Sequence, residues 1–326
     1  MDTFRQALSG HEKLSERMAF SRELLHKVRA AIAAHTFCTK PEVCVYAAGS
    51  LGRLEVGQIS DLDVFLFADR NGKQPHERTL TRLEEISALS ELIQVNTALK
   101  LPAFSGDGEF FKIHEVSQIL SGTGTAVDDS ENFFTTRLLL LLESKCLAND
   151  QLYDSATERV VEMYFRDGRG KSDYKPLFLL NDILRYWRTI CLNYERTRND
   201  RGRPWWKKNL NLKFSRKLTV FATVLAIMID HVDTYEKFAK LSSLTPMERL
   251  ATALDKLGEQ GLLDKFQRFL DDYEEFLAAK SHAELEALDS KDAAHFRSTA
   301  QHFDDFLHET LASPRIEQRL RRFLLI

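Results

Sequence analysis

Two aspartates in the segment YAAGSLGRLEVGQISDLDVFLFAD, which begins at Tyr46, have a spacing that points directly to chemistry. Asp61 and Asp63 alternate with Leu62 and Val64 at the start of a β-branched and aromatic run. Because side chains alternate across a strand, we expect both carboxylates on one face while the leucine and valine enter the core. Carboxylate oxygens are ligands for hard divalent cations, so the pattern predicts a Mg²⁺ or Mn²⁺ site at the two aspartates.

A Gly-Ser pair ends the strand that precedes these aspartates, with ten residues between Ser50 and Asp61. Gly49 allows the backbone to approach phosphate oxygens, and free N–H groups together with the Ser50 hydroxyl can donate hydrogen bonds to them. Each half of the pattern also has a purely structural interpretation. Gly-Ser is a common turn, and a solvent-facing Asp-x-Asp can protect an exposed edge strand. Together the two halves favour a site for a metal-bound nucleotide.

The full pattern, G-S-L-G-R-L-E followed by S-D-L-D, resembles the DNA polymerase β-like nucleotidyltransferase superfamily. Within it, the pattern is similar to the branch of the bacterial PII-protein uridylyltransferases. The resemblance implies that Gly49 and Ser50 bind the triphosphate, that Asp61 and Asp63 are catalytic and hold the metal, and that Arg53 lines or supports the nucleotide site, together with Glu55. The alternative for the last two residues is an ion pair at the surface.

The superfamily usually supplies a third carboxylate from a later strand, as metal ligand or general base. The expected strand here, TALKLPAF, contains no acidic residue. Asp107, Glu109 and Glu115 are the nearest candidates, although Asp107 equally suits a turn. The general base is therefore unassigned.

The bulk composition is that of a globular chain of 326 residues, with 44% hydrophobic and 29% charged residues and a net charge of −3. The length favours two domains. Four scattered cysteines signal neither a zinc site nor a disulfide framework, and free thiols are typical of a reducing compartment. No uncharged apolar run reaches membrane-spanning length, so we expect a cytoplasmic protein without a membrane partner.

The hydrophobic periodicity divides the chain in two. A lead-in helix is predicted from His11 to His35, followed by strands at Val43–Ala47 and Leu62–Phe67, a helix from Glu77 to Leu92 and further strand at Gln94–Phe104. After Asp129 nearly every segment has a helical pattern. We expect an α+β nucleotidyltransferase domain over residues 1–150, a small mixed sheet flanked by helices, and then an all-α helical domain over residues 151–326.

Two features of the helical half carry local charge. The Leu-rich segment after Asp129 resembles the helix that closes the catalytic domain in the uridylyltransferases, with Arg137 and Glu143 in the corresponding positions. Residues 196–217 are strongly basic, and there Lys213, Arg216 and Lys217 are spaced to share one helix face toward phosphate. This segment could instead grip a polyanion such as tRNA, with two tryptophans to stack on bases, or be a solvated basic loop.

These patterns predict an Mg²⁺-dependent transferase that moves an NMP from an NTP to an acceptor hydroxyl and releases pyrophosphate. The acceptor is a protein, a tRNA or a small molecule, and the resemblance ranks a protein first. The alternative is a catalytically inactive nucleotide sensor, which the lack of an obvious third carboxylate favours. The sequence leaves the base preference and the oligomeric state open.

Overall fold

The computed structural model describes residues 2–69, 78–104, 108, 111–168, 171, 174–196, 198, 205–281 and 290–325. These residues form two compact units, each described by itself below. One is the continuous segment Arg17–Arg166, and the other combines Met1–Glu16 with Asp167–Ile326. The first unit contains a small sheet with helices and the second is helical, which confirms the expectation of an α+β part and a helical part.

The described elements follow one another along the chain as sixteen α-helices and four strands. In order they are α1 (Asp2–Leu8), α2 (Glu12–Ile32), β1 (Val43–Ala47), α3 (Gly49–Gly52), β2 (Val64–Ala68), α4 (Arg82–Ala98), β3 (Ile113–Glu115), α5 (Val116–Ser121), α6 (Ala126–Ser130), α7 (Phe133–Glu143), β4 (Lys145–Ala148), α8 (Asp150–Phe165), α9 (Leu177–Arg196), α10 (Trp205–Asn211), α11 (Lys217–Ile229), α12 (Tyr235–Ser243), α13 (Pro246–Leu257), α14 (Gln260–Lys280), α15 (Ser290–Ala312) and α16 (Gln318–Leu325). A 3₁₀ turn at Arg166–Gly168 follows α8, and a π-helix at Leu212–Arg216 joins α10 to α11.

The sheet has the strand order β3-β2-β1-β4. Strand β1 is antiparallel to both β2 and β4, whereas β2 and β3 are parallel. Helices cover both faces. On one face, apolar residues of β1 and β2 share a core with Val28 of α2 and Leu92 of α4. On the other, Tyr46 stacks on Phe65 at 5.6 Å between ring centroids and lies 6.4 Å from the ring of Tyr153 in α8.

Two strands differ from the sequence prediction. The predicted strand at Gln94–Phe104 is wrong because α4 continues to Ala98, and β3 follows only at Ile113. The Leu-rich helix is shorter than its pattern, since α7 ends at Glu143 and, after Ser144, Lys145–Ala148 form β4 beside β1. A run of apolar residues suits a buried helix and a buried strand equally well, so its pattern could not show where one ends and the other begins.

The helical unit is organised around α11, in which all residues from Lys217 to Met228 except Phe221 are buried. Against it and its preceding π-helix lies an aromatic cluster in which Phe214 stacks on Phe276 at 4.7 Å between ring centroids. Helix α13 begins at Pro246, with Thr245 and Glu248 forming a capping box. Within the ranges that the structure covers, no helix is long and apolar enough to cross a membrane.

Candidate functional site

The Gly-Ser turn and the Asp-x-Asp pair meet at one end of the β1–β2 ladder. Ala47 pairs with Val64, and the next backbone contact, from the N–H of Ala48 to the carbonyl of Asp63, measures 2.9 Å. Leu62 and Val64 are 5% and 4% exposed, while Asp61 and Asp63 are only partly buried. The alternation of burial expected from the sequence is therefore present, although β2 begins only at Val64, so that both aspartates precede the strand that was predicted from Leu62.

Gly49 occupies a position that no other residue fills without strain. Its φ of +59° lies in the left-handed region, and a Cβ placed on it would be 2.0 Å from Oδ2 of Asp63. The side chain of Asp63 therefore lies directly against the backbone of the turn. A ligand that uses the turn and a metal that uses Asp63 would be immediate neighbours.

The short helix α3 presents unused hydrogen-bond donors beside Asp63. Among the described residues, the N–H groups of Ser50 and Leu51 and the hydroxyl of Ser50 have no hydrogen-bond partner. The first N–H groups of a helix lack intrahelical acceptors, so they are available to an anion. The sequence placed Gly49 and Ser50 at a triphosphate, and the turn has the donors that such a ligand needs.

The turn is anchored by close contact with the end of α7. A Cβ on Gly52 would lie 1.8 Å from the carbonyl oxygen of Glu143, so α3 rests directly on that backbone. Arg53 reinforces the contact. Its Nε donates to Glu55 at 2.8 Å and its Nη1 donates to Glu143 at 2.6 Å.

This arginine is buried, with 5% of its surface exposed, and so are both carboxylates. The sequence offered Arg53 as a nucleotide contact, as a support of the site or as half of a surface ion pair with Glu55. The pair does form, but in the interior and with Glu143 as a second acceptor. Its geometry is that of a brace between the Gly-Ser turn and α7.

A second buried ion pair explains the arginine that the resemblance singled out in α7. Arg137 donates to both oxygens of Asp128, at 2.8 and 3.0 Å, and to the hydroxyl of Tyr164 at 2.8 Å. The side chains of Arg137 and Asp128 are fully buried. Arg137 thus ties α6 and α8 to α7, while Glu143 accepts from Arg53. The spacing of the residues in the sequence predicted neither the pairing of Arg137 with Asp128 nor that of Arg53 with Glu143.

The carboxylate of Glu115 forms hydrogen bonds in another part of the sheet unit. It accepts hydrogen bonds from the N–H and the hydroxyl of Thr79, at 2.6 and 2.7 Å. Glu115 pairs with Ala68, at the far end of β2 and about 16 Å along the strand from Asp63. It cannot join the aspartates as a third carboxylate in this arrangement.

The two remaining candidates for the third carboxylate, Asp107 and Glu109, lie outside the described residues. Within the described part of the chain, no group of three or more His, Cys, Asp or Glu side chains is arranged to hold a metal. Asp61 and Asp63 therefore provide a two-carboxylate set.

The predicted basic set belongs to the helical unit. Lys213 and Arg216 lie in the π-helix, and Lys217 begins α11, where its ammonium meets Asp304 of α15. Lys217 is only 9% exposed, so it acts within that unit as a buried ion-pair partner. Burial and the nearby charge of Lys217 lower the pKa of Lys213. The described residues leave out much of the segment before Trp205. They also leave out the side chains of the two tryptophans that were considered for base stacking.

Comparison with known proteins adds no family assignment. No protein-family model matches the chain, and no curated protein sequence matches it significantly.

Proposed function

We propose that the sheet unit catalyses nucleotidyl transfer from an NTP to an acceptor hydroxyl, as in the DNA polymerase β-like superfamily. The observation that carries the proposal is the contact between the Gly49 turn and Asp63. Such a site needs hydrogen-bond donors for the phosphates and carboxylates for the metal. Here the donors of the turn lie beside the carboxylate of Asp63. The carboxylates of Asp61 and Asp63, the second of which lies against the turn with its free N–H groups, suit a hard divalent cation that also binds phosphate.

In this proposal Asp61 and Asp63 hold Mg²⁺, which when bound neutralises phosphate charge. The turn donates its N–H groups and the Ser50 hydroxyl to phosphate oxygens and so orients the α-phosphorus. The acceptor oxygen forms a bond to that phosphorus as the bond to the β-phosphate oxygen breaks. The products are the NMP ester, pyrophosphate and a proton.

The resemblance to uridylyltransferases makes a protein hydroxyl the first choice of acceptor. An RNA acceptor, bound through residues 196–217, and a small-molecule acceptor are the alternatives. Incubation with each α-³²P-labelled NTP, Mg²⁺ and a cell lysate, followed by protease or ribonuclease, identifies the labelled class. Label that resists both enzymes and is of low mass would indicate a small molecule.

The test of the proposal is the loss of this labelling in Asp61→Asn and Asp63→Asn. Each change should reduce transfer by at least about a hundredfold, the scale on which catalytic electrostatic groups act. Asp154→Asn is the matched control, because Asp154 is an exposed aspartate of α8 in the same unit. Undiminished labelling by folded Asp63→Asn would refute the assignment.

A non-catalytic nucleotide sensor is the second candidate. It is favoured by the two-carboxylate set, since no third acidic residue joins Asp61 and Asp63 in the described part of the chain. Calorimetry with each NTP and Mg²⁺, followed by a pyrophosphate-release assay, separates the two functions. Binding without release in the presence of lysate acceptors supports the sensor.

A further inference from the structure

A cavity in the sheet unit lies beside edge strand β3. Its volume is about 360 Å³, and its walls come from β3, the start of α4 and the start of α7. Six of its lining residues are Arg82, Glu85, Phe111, Lys112, His114 and Phe133. A cavity of this size holds a small ligand with one or two rings.

His114 supplies a polar group that the protein itself does not satisfy. The residue is 7% exposed and lines the cavity, yet its ring nitrogens have no hydrogen-bond partner among the described residues. Phe133 holds the imidazole edge-on, with 5.6 Å between ring centroids and an interplanar angle of 83°. The ring nitrogens are not fully shielded from solvent, so a ligand in the cavity can hydrogen-bond to them in place of water.

The imidazole is neutral when the site faces neutral solvent. Burial, and next the charge of Lys112, lower the pKa of His114 to about 4, while Glu131 acts in the opposite direction. A neutral imidazole offers one N–H donor and one nitrogen acceptor. The complementary ligand atom is a hydroxyl, which can donate and accept.

Among the described residues that line the cavity, positive charges exceed negative charges by one. Three cations, Arg78, Arg82 and Lys112, face two carboxylates, Glu85 and Glu131. Arg82 donates to Glu85 at 3.0 Å but keeps 70% of its side chain exposed. Lys112 is 3.8 Å from Glu131, which is too long for a direct hydrogen bond. A monoanion would complete the charge balance.

Apart from Gln118, the other described residues of the wall are apolar. Phe111 packs edge-on against Phe104 at 4.3 Å between ring centroids, and Phe133 is 7% exposed. The hydrogen bonds from Thr79 to Glu115 fix the segment before α4 against the end of β3. Aromatic walls favour a planar ring as the body of the ligand.

From these features we propose that this cavity is a second ligand site, for a small aromatic carboxylate that carries a hydroxyl. The hydroxyl bonds to His114, the ring lies among the phenylalanines and the carboxylate meets Arg82 and Lys112. His114 pairs with Phe67, four residues and about 13 Å along β2 from Asp63. The site is therefore separate from the proposed nucleotidyl-transfer centre and does not depend on that function.

The test uses 4-hydroxybenzoate as the probe, with calorimetry on the full chain. Two truncated probes, p-cresol without the carboxylate and benzoate without the hydroxyl, should bind at least about tenfold more weakly. Arg82→Gln should weaken binding of 4-hydroxybenzoate by roughly tenfold. Arg22→Gln, at an exposed arginine of α2 in the same unit, should leave it unchanged.

His114→Phe should abolish the preference for 4-hydroxybenzoate over benzoate, because it keeps a ring but removes both nitrogens. If this variant does not fold, the ¹³C shift of the His114 ring in the native protein gives the answer, since the probe should move it and benzoate should not. Asp63→Asn should bind the probe as the native protein does, whatever its transfer activity. Absence of binding to the native protein, or equal affinity for Arg82→Gln and Arg22→Gln, would overturn the proposal.

Discussion

A methyl group on residue 49 would lie 2.0 Å from Oδ2 of Asp63. Two residues that are 14 positions apart thus share a space that admits only one side chain. The turn cannot be altered at this point without moving the acidic strand, and the position of Asp63 depends on the absence of a side chain at position 49. The turn and the carboxylate of Asp63 therefore cannot move independently.

Gly49→Ala should therefore have a larger effect on nucleotidyl transfer than on the free energy of unfolding. A left-handed alanine costs about 1–2 kcal/mol, and displacement of Asp63 adds to that and should remove most nucleotidyl transfer. Gly124→Ala is the matched control, because Gly124 has a φ of +76° and an added Cβ would meet nothing within 4 Å. Thermal unfolding and α-³²P labelling of the two variants check the prediction. Equal labelling by both would contradict it.

Gly52→Ala should destabilise the sheet unit because its new Cβ would lie 1.8 Å from a backbone oxygen, that of Glu143. Backbone cannot move aside as a flexible side chain can, and overpacking of this kind costs about 1–3 kcal/mol or more. Gly261→Ala, in α14, meets nothing within 4 Å and should be neutral or stabilising by up to about 1 kcal/mol. Urea unfolding monitored by circular dichroism measures both. A Gly52→Ala variant as stable as the native chain would mean that α3 does not rest on α7.

The buried pair of Arg53 and Glu143 should show strong coupling. Arg53→Met removes the guanidinium that donates to two buried carboxylates and should cost about 3–5 kcal/mol. The double variant with Glu143→Leu should lose less than the sum of the single changes. As a control, Glu23 and Lys27 form an exposed i,i+4 pair of α2, which should couple by no more than about 0.5 kcal/mol. Additive losses at Arg53 and Glu143 in urea unfolding would show that the brace is absent.

His114 should make stability depend on pH between about 6.5 and 4. Burial lowers the pKa of His114 to about 4, whereas an unfolded histidine has a pKa of about 6.5. Within that window the unfolded chain binds the proton and the folded protein does not. The free energy of unfolding therefore falls as the pH falls, by up to roughly 3 kcal/mol.

His114→Phe should flatten this part of the profile, which denaturant unfolding at a series of pH values would show. The comparison of native and variant chains removes the contribution of the other histidines. The nearby charges of Lys112 and Glu131 are present in both chains, as are those of Arg78, Arg82 and Glu85. Identical slopes in the two profiles would show that His114 is solvated and not buried.

Local pattern predicted the centre of the sheet unit well. Strand β1 has the bounds expected from its β-branched residues, and the alternation around Leu62 correctly separated the carboxylates from the core. Both inferences depend on residues that are adjacent in sequence. The αL conformation at Gly49 is likewise a property that glycine makes available locally.

Long-range pairings could not be inferred in the same way. Arg53 and Glu143 are 90 positions apart, and no periodicity links them. Glu115 was considered for the metal because of its type, but its partner is set by where β3 lies beside β2, which the sequence did not reveal. In the helical unit, Lys217 was expected to face phosphate, although Asp304 of α15 takes its charge.

The helical unit draws on both ends of the chain, and this has a consequence for biosynthesis. His11 bonds to Asp271 at 3.1 Å and the N–H of Leu14 bonds to Glu274 at 3.0 Å, so early residues depend on partners made some 260 positions later. Residues 17–166 are continuous and can assemble as soon as they leave the ribosome. The first sixteen residues must wait, with their apolar side chains uncovered, until α14 has been translated. That interval is when a chaperone would have an apolar segment of this chain to bind.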